Sequence, residues 1–159
     1  MDKEIQVVGF RIGGETYGVP IGSVREIVRV PSITAVPNAP ETIEGVINLR
    51  GKIIPVMDLR KRFRQPEIKT DKKNRILVVE LENKLLGLIV NSASEVIKIP
   101  PSEIVPPGIV FADSDASYVT GVGKLSGRLI ILLDIAKLLH RPEIHRLEEA
   151  AETVATVLS

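Results

Sequence analysis

The chain has 159 residues, 44% of them hydrophobic, enough for one folded domain or two small subdomains sharing a core. It contains no Cys, which excludes disulfides and thiolate chemistry and suits a reducing compartment. Lys+Arg 21 against Asp+Glu 20 leaves a net charge of +1, so no whole-chain field points to nucleic acid or membrane, and no apolar run approaches the ~20 residues of a spanning helix.

Met1-Asp2-Lys3-Glu4 begins charged and leads straight into a strand, which reads as a cytoplasmic protein without a leader. Ile5 to Ile12 has strand pattern, and Gly13-Gly14-Glu15 turns it into Tyr17-Gly18-Val19-Pro20-Ile21. Ser23-Val24-Arg25-Glu26-Ile27-Val28 reads as a short helical turn running into extended chain. Asn38 to Gly45 reads as one short helix, with Pro40 near its start and Gly45 past its end. Val46-Ile47 and Ile53-Ile54-Pro55-Val56-Met57 are strands flanking the turn Asn48-Leu49-Arg50-Gly51, and Ile53 and Ile54 read as core. The arginine between apolar strands must project at a barrel rim or turn tip.

Asp58 to Phe63 predicts a capped helical turn, and the polar stretch from Gln65 to Asn74 an exposed linker. Strands resume at Arg75–Leu81 and Leu85–Val90 around Glu82-Asn83-Lys84, and Ser92 to Ile99 repeats the earlier Ser-x-x-Glu pattern. Pro100 to Asp115 is loop-rich, Tyr118 to Leu133 makes a second hairpin, and Asp134 to Leu139 a second capped helix.

An internal repeat carries the fold reading. Residues 45–63 align with 121–139 without a gap, with Gly45/Gly121, Gly51/Gly127 and Asp58/Asp134 among the identities; residues 18–30 align likewise with 87–99, pairing Glu26 with Glu95. A lone unit that small is marginally stable, and two β-barrels packed face to face bury a shared core. The expectation is an all-β fold with short helical turns, in approximate subdomains 15–65 and 75–140. Interleaving of strands between them stays open. Over 142–158, Ile144, Leu147, Ala151, Val154 and Leu158 form one apolar stripe of a C-terminal helix. Docking on a barrel is one reading of it; a partner-facing or unstructured tail is the other.

No catalytic or metal constellation emerges. His140 and His145 lie on different helix faces, and Asp113-Ser114-Asp115 reads as a turn. Asp58 and Asp134, one per repeat, invite comparison with an aspartic dyad, but helix-forming residues follow each, and an N-cap role explains both. The basic cluster Arg60-Lys61-Arg62 with Arg64, Lys69, Lys72 and Lys73 makes a small nucleic-acid-binding barrel, using the 60–73 stretch, the alternative class. Near-neutral charge and only five aromatics, Phe10, Tyr17, Phe63, Phe111 and Tyr118, with no cluster on one face, stand against it.

Several stretches resemble the CheW-type chemotaxis coupling proteins. They are Gly18-Val19-Pro20-Ile21, Val24-Arg25-Glu26-Ile27, Gly45-Val46-Ile47-Asn48-Leu49-Arg50-Gly51, Ile54-Pro55-Val56, Asp58-Leu59-Arg60, Gly87-Leu88-Ile89-Val90 and Leu129-Ile130-Ile131-Leu132-Leu133-Asp134. The likeness runs over nearly all of residues 5–139, with Asn91 standing where family members often carry Asp. It implies one CheW-like domain over 1–159, built as two SH3-like five-stranded barrels. It implies a non-enzymatic adaptor, without cofactor, at the membrane-associated receptor array. One surface engages the cytoplasmic tips of chemoreceptors, and another the regulatory domain of the histidine kinase CheA, with neither nucleic acid nor membrane insertion involved. CheW-like modules also end CheA and begin CheV proteins, and the chain length points to a free-standing copy.

The family's receptor-coupling positions fall on Val24, Glu26, Ile27 and Arg50. An exposed arginine in a rigid hairpin can fork onto a carboxylate, with Glu26 the candidate partner, and Val24 and Ile27 would supply apolar contact to a helical tip. Ser126 stands where Arg50 stands in the other repeat, so only one repeat is expected to carry the charged device. The kinase-facing surface is expected on the second barrel, with no residues assigned.

Overall fold

A computed structural model of the chain describes residues 3–41, 43–107 and 117–139. The expected C-terminal helix over 142–158, both histidines, Phe111 and Asp113-Ser114-Asp115 lie outside the described residues. The strands are β1 (Ile5–Ile12), β2 (Glu15–Pro20), β3 (Val24–Arg29), β4 (Ile43–Leu49), β5 (Lys52–Asp58), β6 (Arg75–Leu81), β7 (Lys84–Val90), β8 (Ser92–Ile99), β9 (Ile104–Val105), β10 (Val119–Leu125) and β11 (Arg128–Leu133). Helical turns α1 (Leu59–Arg62) and α2 (Ile135–Leu138) close β5 and β11.

Two sheets result, ordered β8-β1-β2-β11-β10-β9 and β3-β6-β7-β5-β4. This is the layout of two SH3-like barrels. Each sheet takes two strands from one repeat and the rest from the other, joined by the parallel pairs β2–β11 and β5–β7. Neither 15–65 nor 75–140 is therefore a barrel by itself. Every strand of one sheet has its counterpart in the other: β3 matches β8, β6 matches β1, β7 matches β2, β5 matches β11 and β4 matches β10. We call the two bodies the Arg50 barrel and the Arg128 barrel, after the hairpin each contains.

Strand alternation distributes the apolar side chains into three cores. Ile76 and Val78 of β6 point into the Arg50 barrel with Ile47, Ile54 and Val56. Their neighbours Leu77 and Val79 point the other way, into a shared core with Val8, Phe10, Met57, Leu88 and Leu133. Val7, Ile97, Ile99, Ile130 and Leu132 fill the Arg128 barrel. Strands buried on both faces thus read as continuous apolar runs. Neither barrel has a finished interface with solvent on that side, which is the physical reason the repeats occur fused.

Two local expectations fail. Ser23 to Val28 is not a helical turn: a 3-10 turn at Ile21–Ser23 leads directly into strand β3. Asn38 to Gly45 is not a helix either. Asn38 has a left-handed φ of 62°, which no right-handed helix accommodates, and β4 has begun by Ile43. Gly45 is needed where it stands. Its φ is 144°, and a Cβ there would lie 2.1 Å from the Thr34 carbonyl oxygen, where Thr34 and Val46 exchange two backbone hydrogen bonds of 2.9 Å.

Candidate functional site

The β4–β5 hairpin turns at Arg50 and Gly51, with φ of 51° and 87°, the doubly left-handed loop whose twist matches antiparallel strands. Asn48 Oδ1 accepts from the Gly51 amide at 2.9 Å and fixes the turn. Arg50 is held by these neighbours in a conformation side chains disfavour, and its side chain is 69% exposed.

Its guanidinium Nη2 donates to Glu26 Oε2 on the edge strand β3. The hydrogen bond from Arg50, helped by its charge, holds the Glu26 carboxyl below the usual glutamate range, and the same bond raises Arg50 above the usual guanidinium value. Both stay charged at neutral pH. The pair lines a cleft of about 580 Å³ between β3 and the hairpin, together with Leu49, Ile54, Val78 and Leu85. Arg25, Lys52 and Glu80 complete its charged rim, with Arg25 bound to Glu80.

A β-bulge sets which residues of β3 share a side. Val24 is opposite Val79 and Glu26 is opposite Val78, so Arg25 is the extra residue. Val24 and Ile27 therefore both lie on the shared-core side, opposite Val79 and Leu77. Glu26 lies on the cleft side with Arg50. Val24 is half-buried against the core, while Ile27 is 37% exposed. Of the four expected site residues, Glu26 and Arg50 are in contact, and the other two flank the opposite side of the same edge strand.

The expected asymmetry between repeats needs correction. Ser126 does replace Arg50, but Arg128, just beyond it at the start of β11, donates to Glu95 Oε1 at 2.9 Å. Glu95 follows a bulge on β8, with Ala93 opposite Phe10 and Glu95 opposite Gly9, just as Glu26 follows one on β3. Val96, the counterpart of Ile27, is 51% exposed. Both barrels carry a glutamate–arginine pair; they differ in where the arginine is mounted. The residue that pattern reading missed is Arg128, which aligns with Lys52.

The basic cluster is also different from its sequence reading. Arg60 is 5% exposed and binds Asp58 through Nε and Nη2, both at 3.0 Å. Lys61 pairs with Glu44, whose hydrogen bond raises the lysine above its usual value. Arg62 donates to the Leu138 carbonyl at 3.4 Å and lies 5.9 Å from the centre of the Tyr118 ring. All three cations are engaged by groups of the protein itself, which weakens the centre of the nucleic-acid alternative. The aromatics do cluster, contrary to expectation: Phe10, Tyr17, Phe63 and Tyr118 form a row with centroid spacings of 5.9, 5.2 and 5.8 Å. The row starts at the fully buried Phe10 and packs on the shared core, so it is no open stacking platform. Asp58 accepts from the Arg60 amide and Asp134 from the Lys137 amide, so both aspartates are N-caps.

Among the described residues no cluster of three metal-ligating side chains occurs, and no helix is long and apolar enough to cross a membrane. Twin barrels on one shared core, with charged pairs at their rims, define an interaction module, a body that holds surfaces in fixed relation. The model of the CheW-like domain matches residues 6–143, and the chain belongs to the CheW family of chemotaxis scaffold and adaptor proteins, which are not enzymes. It is 34% identical to the chemotaxis protein CheW of Klebsiella aerogenes, over 91% of this chain and 87% of that one. The CheW of Treponema pallidum is likewise 34% identical, covering 92% and 88%. The crystal structure of the scaffolding protein TtCheW from Thermoanaerobacter tengcongensis superposes with a TM-score of 0.77 at 41% identity, covering 90% of this chain and 96% of that one.

Proposed function

We propose that this chain, acting as a single CheW-like module, couples the cytoplasmic tips of transmembrane chemoreceptors to the histidine kinase CheA at the receptor array. The observation that carries the receptor half is the Arg50–Glu26 pair: a guanidinium 69% exposed yet fixed by a rigid turn and a carboxylate, with the exposed Ile27 on the other side of the same edge strand. A helical tip that reaches this edge strand can meet the guanidinium with a carboxylate and Ile27 with an apolar side chain. The fixed guanidinium loses little conformational freedom on binding. Val24 lies on the same side of the strand as Ile27.

The kinase's regulatory domain, itself CheW-like in this family, is assigned to the Arg128 barrel by family analogy. The exposed Val96 and the Glu95–Arg128 pair give that barrel a surface of its own.

The test is reconstitution of receptor fragments and CheA with the wild-type chain or with Arg50→Ala. The expected result is a folded variant that fails to co-sediment with receptor and does not support receptor-dependent kinase activation. Normal activation by the variant overturns the receptor assignment.

A further inference from the structure

The two barrels hold their edge-strand glutamates with cations from different hairpin positions. Lys52 and Arg128 are equivalent residues: each opens the second strand of its hairpin, opposite Leu49 and Leu125, directly after the left-handed turn Arg50-Gly51 or Ser126-Gly127. Glu26 and Glu95 are equivalent as well, each following a bulge on its edge strand. In the Arg128 barrel the turn carries Ser126, and the cation at the strand start holds Glu95 at 2.9 Å. In the Arg50 barrel the turn residue itself holds Glu26. The cation at the strand start is then left over.

That cation faces the cleft. Lys52 and Ile54 are two apart on β5 and share a side of the sheet, the side on which Ile54 enters the barrel core. Lys52 lines the cleft with Arg25, Glu26, Arg50 and Glu80, three cations against two carboxylates. Arg25 is bound to Glu80 and Arg50 to Glu26. Lys52 is exposed, and its ammonium has no ion-pair or hydrogen-bond partner among the described residues. The cleft therefore has one positive charge in excess, which suits one incoming carboxylate.

A partner carboxylate that arrives at Arg50 meets a guanidinium already engaged by Glu26. If both carboxylates stay on Arg50, like charges lie side by side as the contact loses water. If Glu26 is displaced with nothing to receive it, an unpaired carboxylate is left at the contact. Each alternative opposes docking. We propose, building on the receptor reading of Arg50, that Lys52 takes over the Glu26 carboxylate when Arg50 engages a carboxylate of the receptor. The Arg128–Glu95 pair is the same contact already made in the sister barrel, from the same hairpin position to the same edge-strand position. The two cations of the Arg50 hairpin suit the two tasks. Arg50 is held by its turn and presents a planar fork, whereas a lysine has a flexible stem and rotatable donors that can change partner. Lys52 is a positioning residue: it releases Arg50 by holding Glu26.

Two measurements separate the contact from its use. The first needs no receptor and follows the Glu26 carboxyl by side-chain NMR titration. Arg50→Ala should raise its midpoint only part of the way to that of ordinary glutamates, and adding Lys52→Ala should raise it the rest. The same midpoint in both variants overturns the proposal, because Lys52 then does not reach Glu26. The second is binding to receptor fragments. Lys52→Ala should bind about fivefold more weakly with an unchanged denaturation midpoint in urea. The same substitution should cost nothing in a Glu26→Gln background, where no carboxylate is left to hand over. Unchanged affinity of Lys52→Ala overturns the proposal. So does a loss that persists with Glu26→Gln, since Lys52 would then touch the receptor itself. If Arg50→Ala binds receptor normally, the receptor reading fails and the hand-over falls with it, whatever the titration gives.

Discussion

Arg50 and Ser126 hold the same backbone conformation, with φ of 51° and 50°, each followed by a glycine in the left-handed region. The two hairpins are therefore one turn mounted twice, and the turn does not need its arginine. A residue with a large side chain in this region is uncommon because its Cβ crowds the carbonyl. Arg50 is accordingly placed for what its side chain reaches, which in this molecule is Glu26.

Arg50→Gly separates the turn from the charge. Glycine enters the left-handed region without crowding, so the variant should match or slightly exceed the wild-type denaturation midpoint in urea. Receptor binding should still fall by about tenfold or more, the range for an arginine anchor. A variant that binds receptor normally would show that the guanidinium takes no part.

The pair also has a pH signature. Arg50 depresses the Glu26 carboxyl, so the pair's contribution is present above the ordinary glutamate range and is lost as pH falls through the depressed folded value. A side-chain NMR titration should give Glu26 a midpoint below that of ordinary glutamates. Arg50→Ala should move it back up. Lys61 has the opposite sign: Glu44 raises it, so that contact holds below the ordinary lysine range and fades as pH climbs through the raised value.

Arg60 and Arg128 both pair with a carboxylate, yet their removal should differ sharply. Arg60→Ala leaves Asp58 buried and unmatched and frees the linker it holds, costing about 3–5 kcal/mol. Arg128→Ala breaks a pair that is 46% and 50% exposed and should cost about 0–1 kcal/mol. Chemical denaturation of the two variants side by side makes the comparison. Equal losses would mean that the Arg60 clamp is not desolvated as its burial indicates.

The repeat, the hairpins and the two N-caps were legible because each rests on local chemistry: β-branched runs, Gly at the turn, Asp before a helical turn. The failure at Ser23 to Val28 has a physical cause. The bulge at Arg25 puts Val24, Ile27 and Val28 at spacings of three and four, which is the helical period, and Ser23 with Glu26 imitates a capping box. The second copy sets the same trap with Ala93, Val96 and Ile97. Arg128 escaped because alignment compares equal positions, whereas a long guanidinium reaches the same carboxylate from farther along the hairpin. The burial of Arg60 was invisible for a different reason. Its partners Lys69 and Asn74 come from a polar stretch that reads as solvated linker until the barrel end beneath it is known.

A charge exchange decides between the two roles the Arg50–Glu26 pair can have. If the pair only ties the hairpin to β3, Glu26→Arg with Arg50→Glu restores an ion pair across the same gap, and both stability and kinase activation should return to wild-type levels. If Arg50 is presented to the receptor, the exchanged pair still ties the hairpin to β3 but displays a carboxylate at the hairpin tip, where the receptor brings carboxylates of its own. Like charges then oppose docking. The expected outcome is a denaturation midpoint near wild type with receptor co-sedimentation lost. Each single variant should be less stable than the double, because each places two like charges against one another. Recovery of activation by the double variant would reduce Arg50 to a clamp and move the receptor contact elsewhere on β3.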